Sequence, residues 1–225
     1  MPLPALPIGF KTALMLPVDI STLFAFLLAV SALVLSPGPD TIIILRYTIS
    51  SGPRVGLMAV AGVQTGLVVH TLLAVFGISV LIATSPVLFK TVAVVGAIYL
   101  AWIGVQGFRD GGMLDISGNK PAVSAFKAYR DAIACNVLNP KVILMFLALL
   151  PNFIDTERGN IPGQMITFGL GLIIINSLWQ VPLALAAEAI RKWLLNPIAY
   201  KMVTHGTGVL LLIIALMMIY ENLLV

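Results

Sequence analysis

Two charged residues stand inside runs that are otherwise apolar. Asp40 follows Ser36-Pro37-Gly38-Pro39 within the stretch Ile20 to Leu45, and Lys141 follows Asn139-Pro140 within a second stretch. Proline lacks a backbone donor and clashes with the preceding turn, so Pro37 and Pro39 around Gly38, and Pro140, should each interrupt a helix. An interruption in hydrocarbon frees backbone groups that only protein or a watery cavity can satisfy. A charge at that depth is costly enough to suggest a functional role. Transporters build solute sites from breaks of this kind, with the freed helix ends turned toward the solute.

Other polar residues can join such a site. Asn136 and Asn139 flank the second break and can line its cavity. Asn176 and Gln180 lie four apart on one helical face, where hydrogen bonding between helices is the plainer role. Gln64 and His70 are too far round a helix to share a tight face, and His70 reads as a packing residue or a proton relay. Asp40 has two structural readings as well. It can cap the helix that follows the break, or form a static buried pair with Lys141.

The elements that must hold these residues are membrane helices. The 225 residues are 60% hydrophobic and 10% charged, with mean hydropathy +1.06. Soluble domains carry about 25% charged residues. Six stretches reach the ~20 residues that a span needs: Ile20–Leu45, Val55–Ala83, Val87–Phe108, Ala132–Ile154, Ile161–Ala187 and Met202–Tyr220. An all-α, single polytopic domain over 1–225 follows, with repeat one at about 20–108, a loop at 109–131 and repeat two at about 132–225. Translation could start at Met15, so residues 1–14 are expected to be dispensable. Residues 1–19 lack a basic region and a cleavage site, which argues against a cleaved signal peptide.

Charge sets the orientation. Loops after the odd-numbered spans hold nine lysines and arginines, the opposite loops three, and Lys141 sits in a span, making the thirteen in the chain. By the positive-inside rule the nine face the cytoplasm and both termini face outward. The net charge of +4 therefore reflects topology, and nucleic-acid binding is not expected. Three spans per half force the halves to be inverted relative to each other. The halves echo in order: Pro39-Asp40 with Pro140-Lys141, Gly62 and Gly66 with Gly169 and Gly171, Phe89-Lys90 with Tyr200-Lys201. Gly62-Val-Gln-Thr-Gly66 allows close helix approach, more simply within the chain than across a homodimer, which stays open.

Several chemistries are excluded. Cys135 is alone, so disulfide exchange through the membrane lacks its second thiol. Two distant histidines and one cysteine make no transition-metal site, and Asp40 has no second acid for an intramembrane aspartyl protease. No enzyme, cofactor or metal is expected.

Ser36-Pro-Gly-Pro-Asp40 with Gly52-Pro-Arg-Val-Gly56, then Asn136-Val-Leu-Asn-Pro-Lys141 leading to Leu150-Pro-Asn-Phe153, resemble the LysE/RhtB family of amino-acid exporters. Gly96-Ala-Ile-Tyr-Leu-Ala-Trp-Ile-Gly104 fits the same resemblance, which covers almost everything after Met15. It implies export of an amino acid or derivative across the bacterial inner membrane, driven by protons. A zwitterion needs a cation for its carboxylate and an acceptor for its ammonium. Lys141 with freed backbone donors could supply the first. Asp40 could supply the second or, when protonated, carry the coupling proton. A carrier or channel for another small solute or cation on the same scaffold, or a structural membrane subunit, is the alternative.

Overall fold

The computed structural model describes residues 17–84, 86–106, 108, 123–187, 189, 192 and 196–220. Residues 1–14, positions 109–122 of the expected cytoplasmic loop, Arg191 and Trp193 lie outside the described residues. The described elements are helical, with no strand among them. They are α1 (Ile20–Leu35), α2 (Pro39–Ser51), α3 (Pro53–Thr84), α4 (Pro86–Gln106), α5 (Ala125–Val137), α6 (Pro140–Leu144), α7 (Ile161–Leu185) and α8 (Pro197–Ile219). A π turn, Met145–Leu149, and a 3₁₀ turn, Leu150–Phe153, prolong α6.

Proline starts helices here. Pro39, Pro53, Pro86, Pro140 and Pro197 each open one, at the position where a missing N–H costs nothing. Asparagine caps several of them: Asn139 accepts from the Lys141 amide, Asn160 from Gly163, and Asn196 from Ile198 and Ala199.

The axes of α1 and α2 differ by 55°, and those of α5 and the segment Lys141–Phe153 by 50°. Among the described residues, α3 and α7 contain segments long and apolar enough to cross a membrane, and four crossings result if each bent pair is one span.

Boundaries differ from the sequence reading at several places, among them the start of α8 at Pro197 rather than Met202. The helix expected from Ala132 begins at Ala125, so Ala125–Asp131 is helix rather than loop. Lys127 and Asp131 pair across one turn at 2.8 Å, so the charges that end an apolar run do not end the helix. Likewise α2 continues past Leu45 to Ser51.

Helix α3 lies against both α5 and α7, and α4 against α8. Glycine sets the α3–α5 distance. A Cβ on Gly62 would fall 2.3 Å from the Tyr129 carbonyl oxygen, and one on Gly66 would fall 2.4 Å from Asn136 Oδ1. Two apolar cores result. One gathers Phe26, Leu33, Leu67, Met145, Phe168 and Leu172 with their neighbours. The other gathers Ile44, Tyr47, Val63, Ala132 and Leu183.

Candidate functional site

Against the first of these cores lies a cavity of about 40 Å³. Ser36, Gly38, Asp40 and Thr41 reach it from the first bend, and Asn139, Lys141, Val142 and Met145 from the second. Leu67 of α3 and Leu172, Asn176 and Gln180 of α7 complete the wall. The volume admits a few atoms only, so the two bends are drawn together around it.

The charged residues cross over. Asp40 reaches the chain just before the second bend, where its Oδ2 accepts from Asn136 Nδ2 at 2.9 Å. The Cys135 thiol lies 3.9 Å from Oδ1. Lys141 reaches the chain just before the first bend and donates from Nζ to the Ser36 carbonyl at 2.7 Å. That carbonyl lies just past the end of α1, where continuing helix would otherwise supply its donor. Gly38 leaves room for the crossing: its Cβ, if present, would lie 3.6 Å from Lys141 Nζ. The backbone at Gly38 is extended, with φ −149°, so space rather than conformation suits glycine there.

This geometry corrects both structural readings of Asp40. Gly38, not Asp40, is the N-cap of α2, and no side chain caps that helix. Nor does an ion pair join Asp40 to Lys141 among the described residues.

Asn136 links the site to α3. It is fully buried, and its own carbonyl accepts from His70 Nε2 at 3.3 Å. That contact puts the imidazole proton on Nε2, and the ring stacks on Phe146 with centroids 5.4 Å apart. Asn136 Oδ1 is buried without a partner. Gln64 and Gln180, 116 residues apart, join through Nε2 and Oε1 at 3.1 Å. The structure thus gathers Asp40, Lys141, Asn139, Asn176 and Gln180 at one cavity, with Asn136, His70 and Gln64 one layer behind.

Sequence reasoning missed Thr41. The hydroxyls of Ser31, Thr48, Thr71 and Thr167 each bond the carbonyl four residues back. Thr41 stands in the first turn after a break, so the carbonyl four back belongs to Pro37, outside the helix. A threonine within one turn of a helix-opening proline is the signal that could have found it.

Specific contacts tie the elements together on either side of the bends. Toward one end, Phe26 meets Phe168 at 4.7 Å and Phe153 at 5.3 Å, and Arg158 pairs with Asp19 at 2.5 Å. Toward the other, Tyr47 donates to Asp131, which also holds Lys127, and Ser51 Oγ accepts from the Val123 amide at 2.9 Å.

The profile of the LysE type translocator family matches residues 31–222. The chain belongs to the LysE family. Its relatives agree with this placement. An uncharacterised membrane protein of Bacillus subtilis, YrhP, is 32% identical over 84% of this chain and 94% of its own length. A homoserine/homoserine lactone efflux protein of Salmonella typhi is 31% identical over 85% and 92% of the two chains. A leucine efflux protein of Klebsiella pneumoniae is 32% identical over 75% and 80%. No solved structure matches significantly. This LysE-family chain is a multi-pass membrane protein and a transporter rather than an enzyme.

Proposed function

We propose that this LysE-family chain exports a small amino acid or close derivative across the bacterial inner membrane in exchange for protons. The crossed clasp carries the reading: two opposite charges face one cavity, each bonded to the other's chain rather than in a direct ion pair. An ammonium has three donors, and Lys141 gives one to Ser36, leaving two for a solute carboxylate. Asp40 keeps acceptor capacity for a solute ammonium beyond its bond from Asn136. A proton arriving from outside would neutralise Asp40 and release the ammonium there. Loss of that proton to the cytoplasm would restore the carboxylate for the next solute.

In this reading each bent pair is one broken span, and the six spans form two inverted three-helix repeats. The crossing supports it. Asp40 reaches five residues before Lys141, to Asn136, and Lys141 reaches four before Asp40, to Ser36. Two units facing each other about an axis would make reciprocal contacts of this sort. The charge distribution supports outward termini. The relatives' names favour an amino-acid solute and differ on its side chain, homoserine or its lactone against leucine.

Cells loaded with dipeptides test the reading. Those carrying the protein should release the free amino acid faster than controls, and a protonophore should abolish the excess. A panel of common amino acids, homoserine and its lactone with no protein-dependent release would sink the amino-acid assignment. Release at full rate after collapse of the proton gradient would leave the solute class and remove the antiport.

A further inference from the structure

Asn136 is anchored at its backbone but on one side only of its side chain. Its carbonyl accepts from the Asn139 amide at 3.0 Å and from His70 Nε2 at 3.3 Å, which fills both lone pairs. Its side-chain Nδ2 donates to Asp40 Oδ2 at 2.9 Å. The other half of the amide, Oδ1, is buried and bonded to nothing among the described residues. Buried polar atoms are nearly always paired, so such an orphan needs a reason. Asn139 makes the contrast: its Oδ1 caps the Lys141 amide, and its amide cannot turn without losing that cap. Asn136 Oδ1 stands where Gly66 leaves space, since a Cβ there would fall 2.4 Å away. The oxygen and the NH2 of an amide are close in size. The group can therefore turn end for end in the room it already occupies.

We propose that Asn136 is a positioning residue that follows the protonation of Asp40 by turning its side-chain amide, Nδ2 toward the carboxylate and Oδ1 toward the acid. This rests on the proton-exchange reading above. A carboxylate only accepts, and it takes the Nδ2 donor seen in the structure. A carboxylic acid carries an O–H donor, which would meet Nδ2 donor to donor if the amide stayed. On the other carboxyl oxygen, Oδ1, the proton would face the Cys135 thiol at 3.9 Å, a weak acceptor. Among the described residues, the remaining titratable groups facing the pair are His70 of α3 and Lys141 of α6; Asn176 and Gln180 of α7 are neutral. An ammonium has no acceptor, and His70 Nε2 is taken up by the Asn136 carbonyl. Turned, the Asn136 amide supplies the missing acceptor. Either orientation leaves one amide atom unpaired beside Gly66, so that cost is shared and the bond to Asp40 decides. Both forms of Asp40 stay hydrogen-bonded, as a carboxyl that gains and loses a proton in every cycle requires.

Infrared difference spectra of the full chain in lipid films, acid against alkaline, provide the test, with asparagine isotopically labelled at its side-chain carbonyl. Acidification should bring up a carboxylic-acid band that is absent in Asp40→Asn, together with a shift of a labelled asparagine band. That shift should be lost in Asp40→Asn, Asn136→Leu and Asn136→Asp alike. An Asp40 acid band with no asparagine shift overturns the proposal and leaves proton exchange standing. A shift that persists unchanged in either Asn136 variant overturns it too. No acid band from Asp40 at any pH is a different result, which removes the proton-exchange reading and this inference with it. Export gives a second readout, and the shape of its pH profile does not depend on how much protein reaches the membrane. Asn136→Asp offers an acceptor to the acid but no donor to the carboxylate, and two carboxyls there would share one proton. Its export should peak about one pH unit or more to the alkaline side of the unmodified protein. A residue that only packs would lower export equally at every pH, and that outcome overturns the proposal.

Discussion

Asparagine at position 40 would keep the shape of the carboxylate while removing its charge. Because Asp40 caps nothing, Asp40→Asn should leave abundance in the membrane close to normal. Export should fall by about a hundredfold or more, the usual scale for losing a positioned proton-transfer group. Normal export with unchanged pH dependence would show that Asp40 neither binds solute nor couples protons. Lys141→Ala should differ in kind, because it strands the Ser36 carbonyl as well as removing the charge. An orphaned buried acceptor costs about 1–3 kcal/mol, so quantitative blotting should find less protein along with lost export. The sequence made Asp40 and Lys141 conspicuous because a charge after a proline in an apolar run has few explanations. It could not show that each would reach across to the other's chain, since partners about a hundred residues apart leave no local pattern. Thr41 was hidden for the opposite reason: threonine is ordinary in membrane helices, and only the missing turn before it makes its hydroxyl unusual.

At the scale of the helix, glycine position matters more than glycine number. Gly62→Ala would press a methyl against the Tyr129 backbone, which cannot rotate away. The cost of such overpacking is about 1–3 kcal/mol, visible as a lower midpoint of thermal unfolding in detergent. Gly77 is the control, because none of the described residues lies within 4 Å of the place a methyl would take there. Gly77→Ala should be neutral or raise stability by about 0.5–1 kcal/mol. Equal destabilisation by the two would mean that the α3–α5 approach is not what Gly62 serves. The spacing Gly62-xxx-Gly66 announced a close approach without naming the partner. The start of α5 at Ala125 was misread because hydropathy registers Lys127 and Asp131 as separate charges, whereas the helix registers them as a pair.

For the molecule as a whole, orientation rests on charge. With Cys135→Ser as background, Lys127→Cys should react with an impermeant thiol reagent only after the membrane is opened. Thr156→Cys should react in intact cells. Reaction of Lys127→Cys from outside would invert the assignment. Helical class and the apolar stretches were legible because the bilayer imposes length and hydropathy on every crossing segment. The cavity was not, because its walls come from two bends and two distant helices whose meeting no window of sequence contains.

The crossing of Asp40 and Lys141 also bears on how the chain is made. Asp40 finds its donor 96 residues downstream, and Lys141 finds its acceptor 105 residues upstream. At synthesis rates of about 5–20 residues per second, the ribosome needs roughly 5–20 s to deliver Asn136 after Asp40 has emerged. Throughout that interval the first bend carries an acid whose partner does not yet exist. Neither bend can therefore complete its hydrogen bonds until both halves of the chain have been made.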